Sequence, residues 1–237
     1  QPSSSTRATT RDPAGGPLVR LLPLDWASNL GGAVVRLLGP LTPEHRTADL
    51  NLRLAYPTMA PAERRRIIMA HWENLGRTAA EFPLVHRIVQ DPSRVEVVGG
   101  ERLAQMARDR QPAVLISGHI ANWEVSLAAI MRAGLTCWVS YRPANNPYAD
   151  RRIVEGREKL GLRFAPKGAD GTRELLAALN RGESLALLND QRDNYGTEAP
   201  CFGHLVRTAP GPTRFALKPR VLMAPLHDHR PGPRAHE

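Results

Sequence analysis

Aromatic residues are scarce, at 5% of 237 residues, and they are not interleaved with Lys and Arg as in a stacking platform for single-stranded nucleic acid. Nucleic acid is therefore not the expected partner, although 32 Lys and Arg stand against 23 Asp and Glu for a formal net charge of +9. Two cysteines, Cys137 and Cys201, lie far apart without metal-ligand spacing, which excludes a disulfide framework and a zinc site and fits a reducing compartment. Long uninterrupted apolar runs are missing too. The apolar stretch from Leu18 to Leu41 is broken by Arg20, Asp25 and Arg36, so it is not a membrane span, and it does not read as a signal peptide. No internal repeat is evident.

What remains is enough for one domain. Apolar residues make up 42% of the chain, and its length suits a single α/β unit. Residues 1–17 are rich in Ser, Thr, Arg, Pro and Gly and read as a disordered tail. The domain is expected over 18–218, with 18–41 able to form an interfacial helix, and 219–237 reads as an atypical His/Pro/Arg-rich low-complexity tail. In that tail His227, His229 and His236 lack a second ligand cluster, so no metal site is expected. The positive charge calls for an anionic partner such as an acidic carrier protein, a phosphorylated lipid or a membrane surface.

The apolar periods set the element order. Asp25 can cap a helix whose residues Trp26, Ala27, Leu30, Ala33, Val34, Leu37 and Leu38 recur at helical spacing, stopped by Gly39-Pro40. Its stripe suits a bilayer interface or a core equally well. A second helix is expected from Pro61 to Phe82, with Ile68, Trp72, Leu75 and Ala79 buried and Arg64, Arg65 and Arg66 near its start. After a short alternating segment at Val95 to Val98 and a helix near Glu101 to Arg108, strands and helices alternate. Strands are expected at Ala113 to Ser117, Leu135 to Tyr141, Leu162 to Ala165 and Ser184 to Leu188. Between them come helices from Asn122 to Ala133, from Asn146 to near Gly161, and from Thr172 to Leu179. This order implies an α/β fold with a mainly parallel sheet flanked by helices.

In a parallel sheet the strand carboxyl ends share one edge, where sites usually form. His119, Tyr141-Arg142-Pro143 and Asp190-Gln191-Arg192 each follow a strand and so converge on one rim. His119 and Glu124, with four residues between them, pair an imidazole that can accept a proton near neutral pH with a carboxylate about one helical turn away. A buried capping histidine beside a solvated glutamate is the plainer alternative. Ser117 precedes His119 closely, but Ser117-Gly118-His119 lacks the G-x-S-x-G elbow of serine hydrolases.

Six stretches occur together in order: Leu21-Leu22-Pro23-Leu24-Asp25-Trp26, His71-Trp72-Glu73-Asn74-Leu75-Gly76-Arg77, Gly118-His119-Ile120-Ala121-Asn122-Trp123-Glu124, Tyr141-Arg142-Pro143-Ala144-Asn145-Asn146-Pro147, Asp190-Gln191, and Phe202-Gly203 followed by Thr208-Ala209. The set resembles the bacterial lipid A biosynthesis lauroyl/myristoyl acyltransferase family, part of the lysophospholipid acyltransferase superfamily. The resemblance implies a glycerol-3-phosphate acyltransferase-like fold, here expected to be C-terminally incomplete. It also implies transfer of a fatty acyl chain from acyl carrier protein to a hydroxyl of a lipid A precursor.

By that resemblance His119 is the general base and Glu124 its orienting acid. Arg142, with Asn145 and Asn146, helps to form the anionic-substrate or oxyanion side of the site, and Asp190 and Gln191 match the family's Asp-Gln signature as further substrate-binding residues. Helix capping for Asn146, a structural turn for Asp190 and Gln191, and an exposed helix face for Glu73 and Asn74 remain as alternatives. No cofactor is implied beyond the carrier-protein thioester. The implied partners are acyl carrier protein, an anionic glycolipid acceptor and the cytoplasmic face of the inner membrane, reached peripherally or by an N-terminal anchor. The helix near Arg151, Arg152 and Arg157 is a candidate docking face. An acyl-CoA-dependent enzyme acting on another glycolipid or lysophospholipid, and an inactive lipid-binding remnant, are the competing readings.

Overall fold

A computed structural model describes residues 22–141, 150–151, 154 and 162–231. Arg142, Asn145 and Asn146, most of the helix expected from Asn146, and residues 1–17 therefore lie outside the described residues.

Three helices open the fold: α1 (Leu24–Leu38), α2 (Pro43–Ala55) and α3 (Pro61–Glu81). Pro43 and Pro61 each occupy a first helical position, where no amide hydrogen is missed. Pro23, rather than Asp25, stands at the N-cap of α1. Asp25 lies in the first turn, where its carboxylate suits the helix dipole, and it accepts a 2.7 Å bond from Arg94. Helix α1 crosses α3 at very close range. A methyl group added at Gly76 would lie 2.2 Å from the carbonyl oxygen of Gly31, and one at Gly31 would lie 2.5 Å from that of Gly76. Only a glycine pair allows the two backbones to meet there.

This crossing turns both helices away from the expected packing. The buried face of α3 carries Ile68, Trp72, Gly76, Thr78 and Glu81, while Leu75, expected in the core, is exposed. On α1 the buried residues are Ala27, Ser28 and Gly32. Its apolar stripe of Trp26, Leu30, Val34, Leu37 and Leu38 is exposed, with Trp26 at 71% and Leu37 at 74%. Small residues, not large apolar ones, make this helix contact. The Val95 to Val98 segment forms no strand, and Val98 is exposed.

After α4 (Val85–Gln90) and α5 (Gly100–Arg108) the sheet begins. Its elements are β1 (Ala113–Ser117), α6 (Trp123–Arg132), β2 (Cys137–Tyr141), β3 (Arg163–Pro166), α7 (Ala169–Asn180) and β4 (Ser184–Leu188). A hairpin of β5 (Arg192–Cys201) and β6 (His204–Thr208), a short α8 (Gly211–Ala216) and β7 (Leu222–Pro225) follow. The five-stranded sheet has the order β3-β2-β4-β1-β7 with every pairing parallel. Strands β1 and β4 are central and nearly continuous in apolar residues, as a sheet covered on both faces requires. One cluster under it gathers Leu103, Leu115, Leu127, Ile130, Cys137 and Ala186. Another joins Val114, Leu175, Leu179, Leu185 and Phe215. Burial pushes the Cys137 thiol up to about 12, so it is an inert packing group.

Within the expected tail, the described residues 219–231 include a strand. Leu222 to Pro225 pair with Ala113 to Ile116 and add a fifth parallel strand. The chain beyond it stays attached: Leu226 N–H donates to the Ile116 carbonyl, Ser126 donates to Asp228, and Arg230 reaches α3. Pro, His and Arg in the sequence masked a strand of four residues whose partners lie far back in the chain.

Candidate functional site

Strand register brings the two central polar groups together. Val114 to Ser117 pair with Leu185 to Leu188 in order, and Asn189 N–H extends the ladder to the Ser117 carbonyl. Two residues beyond each strand end, His119 and Asp190 face one another. The His119 backbone N–H donates to Asp190 Oδ2 at 2.6 Å, and imidazole Nδ1 meets Oδ1 at 2.7 Å. Gly118 leaves room for this, since a methyl group there would lie 2.9 Å from Asp190 Oδ2. Burial raises the Asp190 carboxyl, but its bonds to the His119 ring and backbone outweigh that and hold it below the usual carboxylate range. The carboxylate is thus ionised and fixes a proton on Nδ1. In the neutral ring this leaves the lone pair on Nε2, with Gln191 Nε2 at 3.4 Å.

Glu124, the expected orienting acid, stands in the first turn of α6. It is buried, at 3% exposure, and accepts a 3.1 Å bond from the Trp123 indole. Trp123 in turn packs edge-on against the His119 ring, with centroids 5.0 Å apart. Trp123 thus touches both Glu124 and the His119 ring. The register of two neighbouring strands delivers Asp190 to His119.

Ser117 Oγ is buried without a hydrogen-bond partner among the described residues, so it does not form a nucleophile pair with His119. The turn after His119 is set by α3. Asn74 Nδ2 and Thr78 Oγ1 both donate to the Ala121 carbonyl at 2.9 Å, and Asn122 donates to Glu81 at 2.7 Å. Asn74 is therefore no free surface residue. Thr78, Glu81 and Arg230 escaped the sequence reading, although Asn74, Thr78 and Glu81 stand at i, i+4 and i+7 on one helix face. Glu73 instead pairs with Arg36 and Arg77 on the surface. Among the described residues no cluster of three or more His, Cys, Asp or Glu could hold a metal ion. Arg151 is exposed, and Arg152 and Arg157 lie outside the described residues.

A histidine and an aspartate at adjacent parallel strand ends, inside the ordered stretches described above, coincide with a full-length profile match. The sequence profile of the bacterial lipid A biosynthesis acyltransferases covers residues 14–234. The chain belongs to that family.

The family match extends past residue 218 and takes in β7 and Arg230. Among curated proteins, the chain is 39% identical over 72 residues to a dihydroxy-acid dehydratase of Geobacter sp. (strain M21), covering 27% of this chain and 13% of that protein. It is 41% identical over 64 residues to a dihydroxy-acid dehydratase of Trichlorobacter lovleyi, covering 22% of this chain and 12% of that protein. The chain spans 12–14% of the length of the curated relatives it matches. Stretches this short leave most of either fold unmatched. The lipid A acyltransferase profile alone takes in the whole sheet and both halves of the His119–Asp190 pair.

Proposed function

We propose that the chain transfers a fatty acyl group of lauroyl or myristoyl type from acyl carrier protein to a hydroxyl of a lipid A precursor, with His119 as general base. The observation that carries the reading is the Nδ1 contact of His119 with Asp190 at 2.7 Å, which leaves Nε2 able to accept a proton. In this mechanism the acceptor hydroxyl gives its proton to Nε2 as its oxygen attacks the thioester carbonyl. The tetrahedral oxyanion collapses, the C–S bond breaks, and the thiolate recovers the proton from the imidazolium. Asp190 keeps the ring in the productive tautomer and offsets its transient charge. No covalent acyl-enzyme is needed, in keeping with the unpartnered Ser117.

Arg142, Asn145, Asn146 and Gln191 are proposed to bind the anionic acceptor or the oxyanion, since a guanidinium and amide donors suit both. The excess of 32 Lys and Arg over 23 Asp and Glu favours encounter with an acidic carrier protein and a phosphorylated glycolipid. No helix among the described residues is long and apolar enough to cross a membrane. The outward stripe of α1 supports peripheral contact with the cytoplasmic face of the inner membrane. Beside it a cleft of about 510 Å³ is lined by Arg36, Leu37, His45, Arg53, Arg65 and Ile68. At about 1.5 Å per residue, its α3 wall lies roughly 20 Å from Thr78, so it suits lipid headgroups better than the reacting hydroxyl.

The test is transfer of a labelled acyl group by the purified chain onto a phosphorylated lipid A precursor, with acyl carrier protein and coenzyme A thioesters in competition. Preference for the carrier-protein donor, abolished by His119→Ala, is the expected outcome. Turnover that survives His119→Ala, or that uses only coenzyme A, overturns the base or the donor respectively.

A further inference from the structure

Behind the His119 turn lies a buried ionic cluster. Glu81, at the C-terminal end of α3 and 5% exposed, accepts four hydrogen bonds from three distant parts of the chain. Ser28 on α1 and Asn122 each donate at 2.7 Å, and the two terminal nitrogens of Arg230 donate at 2.7 and 2.8 Å. A carboxylate out of water requires such compensation. Burial raises its pKa, but Arg230, Ser28 and Asn122 prevail and keep it below the usual range.

The same helix face grips the preceding residue. Asn74 and Thr78 donate to the Ala121 carbonyl, and Arg230 Nε donates to Asn74 Oδ1 at 3.0 Å. Ala121 has a φ of +44°, a left-handed conformation that is unfavourable for a non-glycine residue and persists only when its surroundings over-determine it. The strained residue and Asn122 lie between His119 and Trp123, so the turn's geometry sets where the imidazole stands.

We infer that Glu81, with Arg230 as its counter-ion, is a positioning residue for acyl transfer, holding Asn122 directly and the Ala121 carbonyl through Asn74. The inference rests on the acyl-transfer reading for its effect on rate, but its geometric content is independent of it. A buried ion pair is often near break-even in stability against an apolar replacement. Its influence on the direction of the turn is not replaceable in that way.

The experiment compares Glu81→Gln, Asn122→Ala, their double variant and Thr78→Val in the full chain. Unfolding midpoint, kcat and KM are measured, together with the side-chain 15N signals of His119. Displacement of the imidazole by about 1 Å lowers kcat about 10- to 100-fold with KM within about twofold. The double variant is no slower than the slower single one, since both act through one turn. The His119 signals shift away from the Nδ1–H form. Thr78→Val, nearly isosteric and the least disruptive to folding, gives a smaller loss in the same direction with its unfolding midpoint retained. Additive losses in kcat, or His119 signals unchanged in Glu81→Gln and Thr78→Val, overturn the inference. If the unaltered chain transfers no acyl group while the His119 signals still shift in the variants, the proposed function fails and the positioning role stands.

Discussion

His119 and Asp190 are partners in register as well as in chemistry: the ladder ends with Ser117 opposite Leu188, and two residues past both strand ends the imidazole and carboxylate meet at 2.7 Å. The distance is set by the sheet itself. Neither residue depends on a long loop for its place, so the pair is preorganised before substrate arrives.

Asp190→Asn keeps the size of the side chain but can present a donor to Nδ1 and so favour the wrong tautomer. A fall in kcat of about 10²- to 10⁴-fold is expected, with KM little changed. Glu124→Gln, which keeps the size of the side chain and an acceptor for the Trp123 indole, is expected to cost less than Asp190→Asn. Steady-state acyl-transfer rates check both, and a larger loss for Glu124→Gln would restore it as the residue that orients His119.

Gly118→Ala tests the same pair sterically. Its methyl group would stand 2.9 Å from Asp190 Oδ2, an oxygen already held by the His119 amide, so the carboxylate must move. A loss of about 10-fold or more in kcat is expected with little change in chemical denaturation. Wild-type kcat would show that the pair tolerates displacement.

Gly76→Ala addresses the helix crossing. The added methyl group would lie 2.2 Å from the Gly31 carbonyl, and backbone cannot yield as a side-chain end can. A destabilisation of about 1–3 kcal/mol is expected in urea unfolding. Gly99→Ala is a poor control because Gly99 has a positive φ, whereas Gly211, whose added methyl would meet only the Phe215 ring edge at 3.9 Å, is suitable.

Asp228 gives the pH dependence. Burial raises its carboxyl above the usual range, against the opposing bond from Ser126 and the charge of His227, and its Oδ2 is buried without a partner among the described residues. The folded chain therefore binds this proton more tightly than the unfolded chain. Its contribution to stability is present below the ordinary Asp value and is lost as pH rises through the raised one. Glu81 runs the other way: its lowered pKa contributes stability above the ordinary Glu value, lost as pH falls through the depressed one. Asp228→Asn should stabilise the chain by about 1 kcal/mol near neutral pH by removing an unpaired buried charge. The gain should vanish below the ordinary Asp range, as read from unfolding curves across pH. A gain that persists in acid would point to packing instead.

The outward stripe of α1 predicts lipid binding. Replacing Trp26, Leu30 and Leu37, all exposed, by Ser removes apolar surface worth about 1.5–3 kcal/mol for each large side chain fully buried in lipid. Sedimentation with anionic vesicles should show at least about 10-fold weaker binding with the unfolding midpoint unchanged. Equal binding by the variant would place the membrane contact elsewhere.

The sequence by itself determined the parallel α/β order, because buried strands such as Ala113–Ser117 and Ser184–Leu188 are short apolar runs bounded by turn residues. It also singled out His119, Asp190 and Gln191, since each follows such a run. What it could not determine was who touches whom. His119 and Asp190 pair only because β4 lies beside β1 in a sheet whose order differs from chain order, and strand order is not written in local periodicity. Leu75 reads as core, yet the close approach of Gly31 buries Gly76 and leaves Leu75 exposed. Glu81 and Arg230 carry no motif, and the burial that makes them partners exists only once α1, α3 and the segment after β7 have packed together. Local chemistry is legible residue by residue, whereas long-range pairing is decided by which surfaces the chain buries against each other.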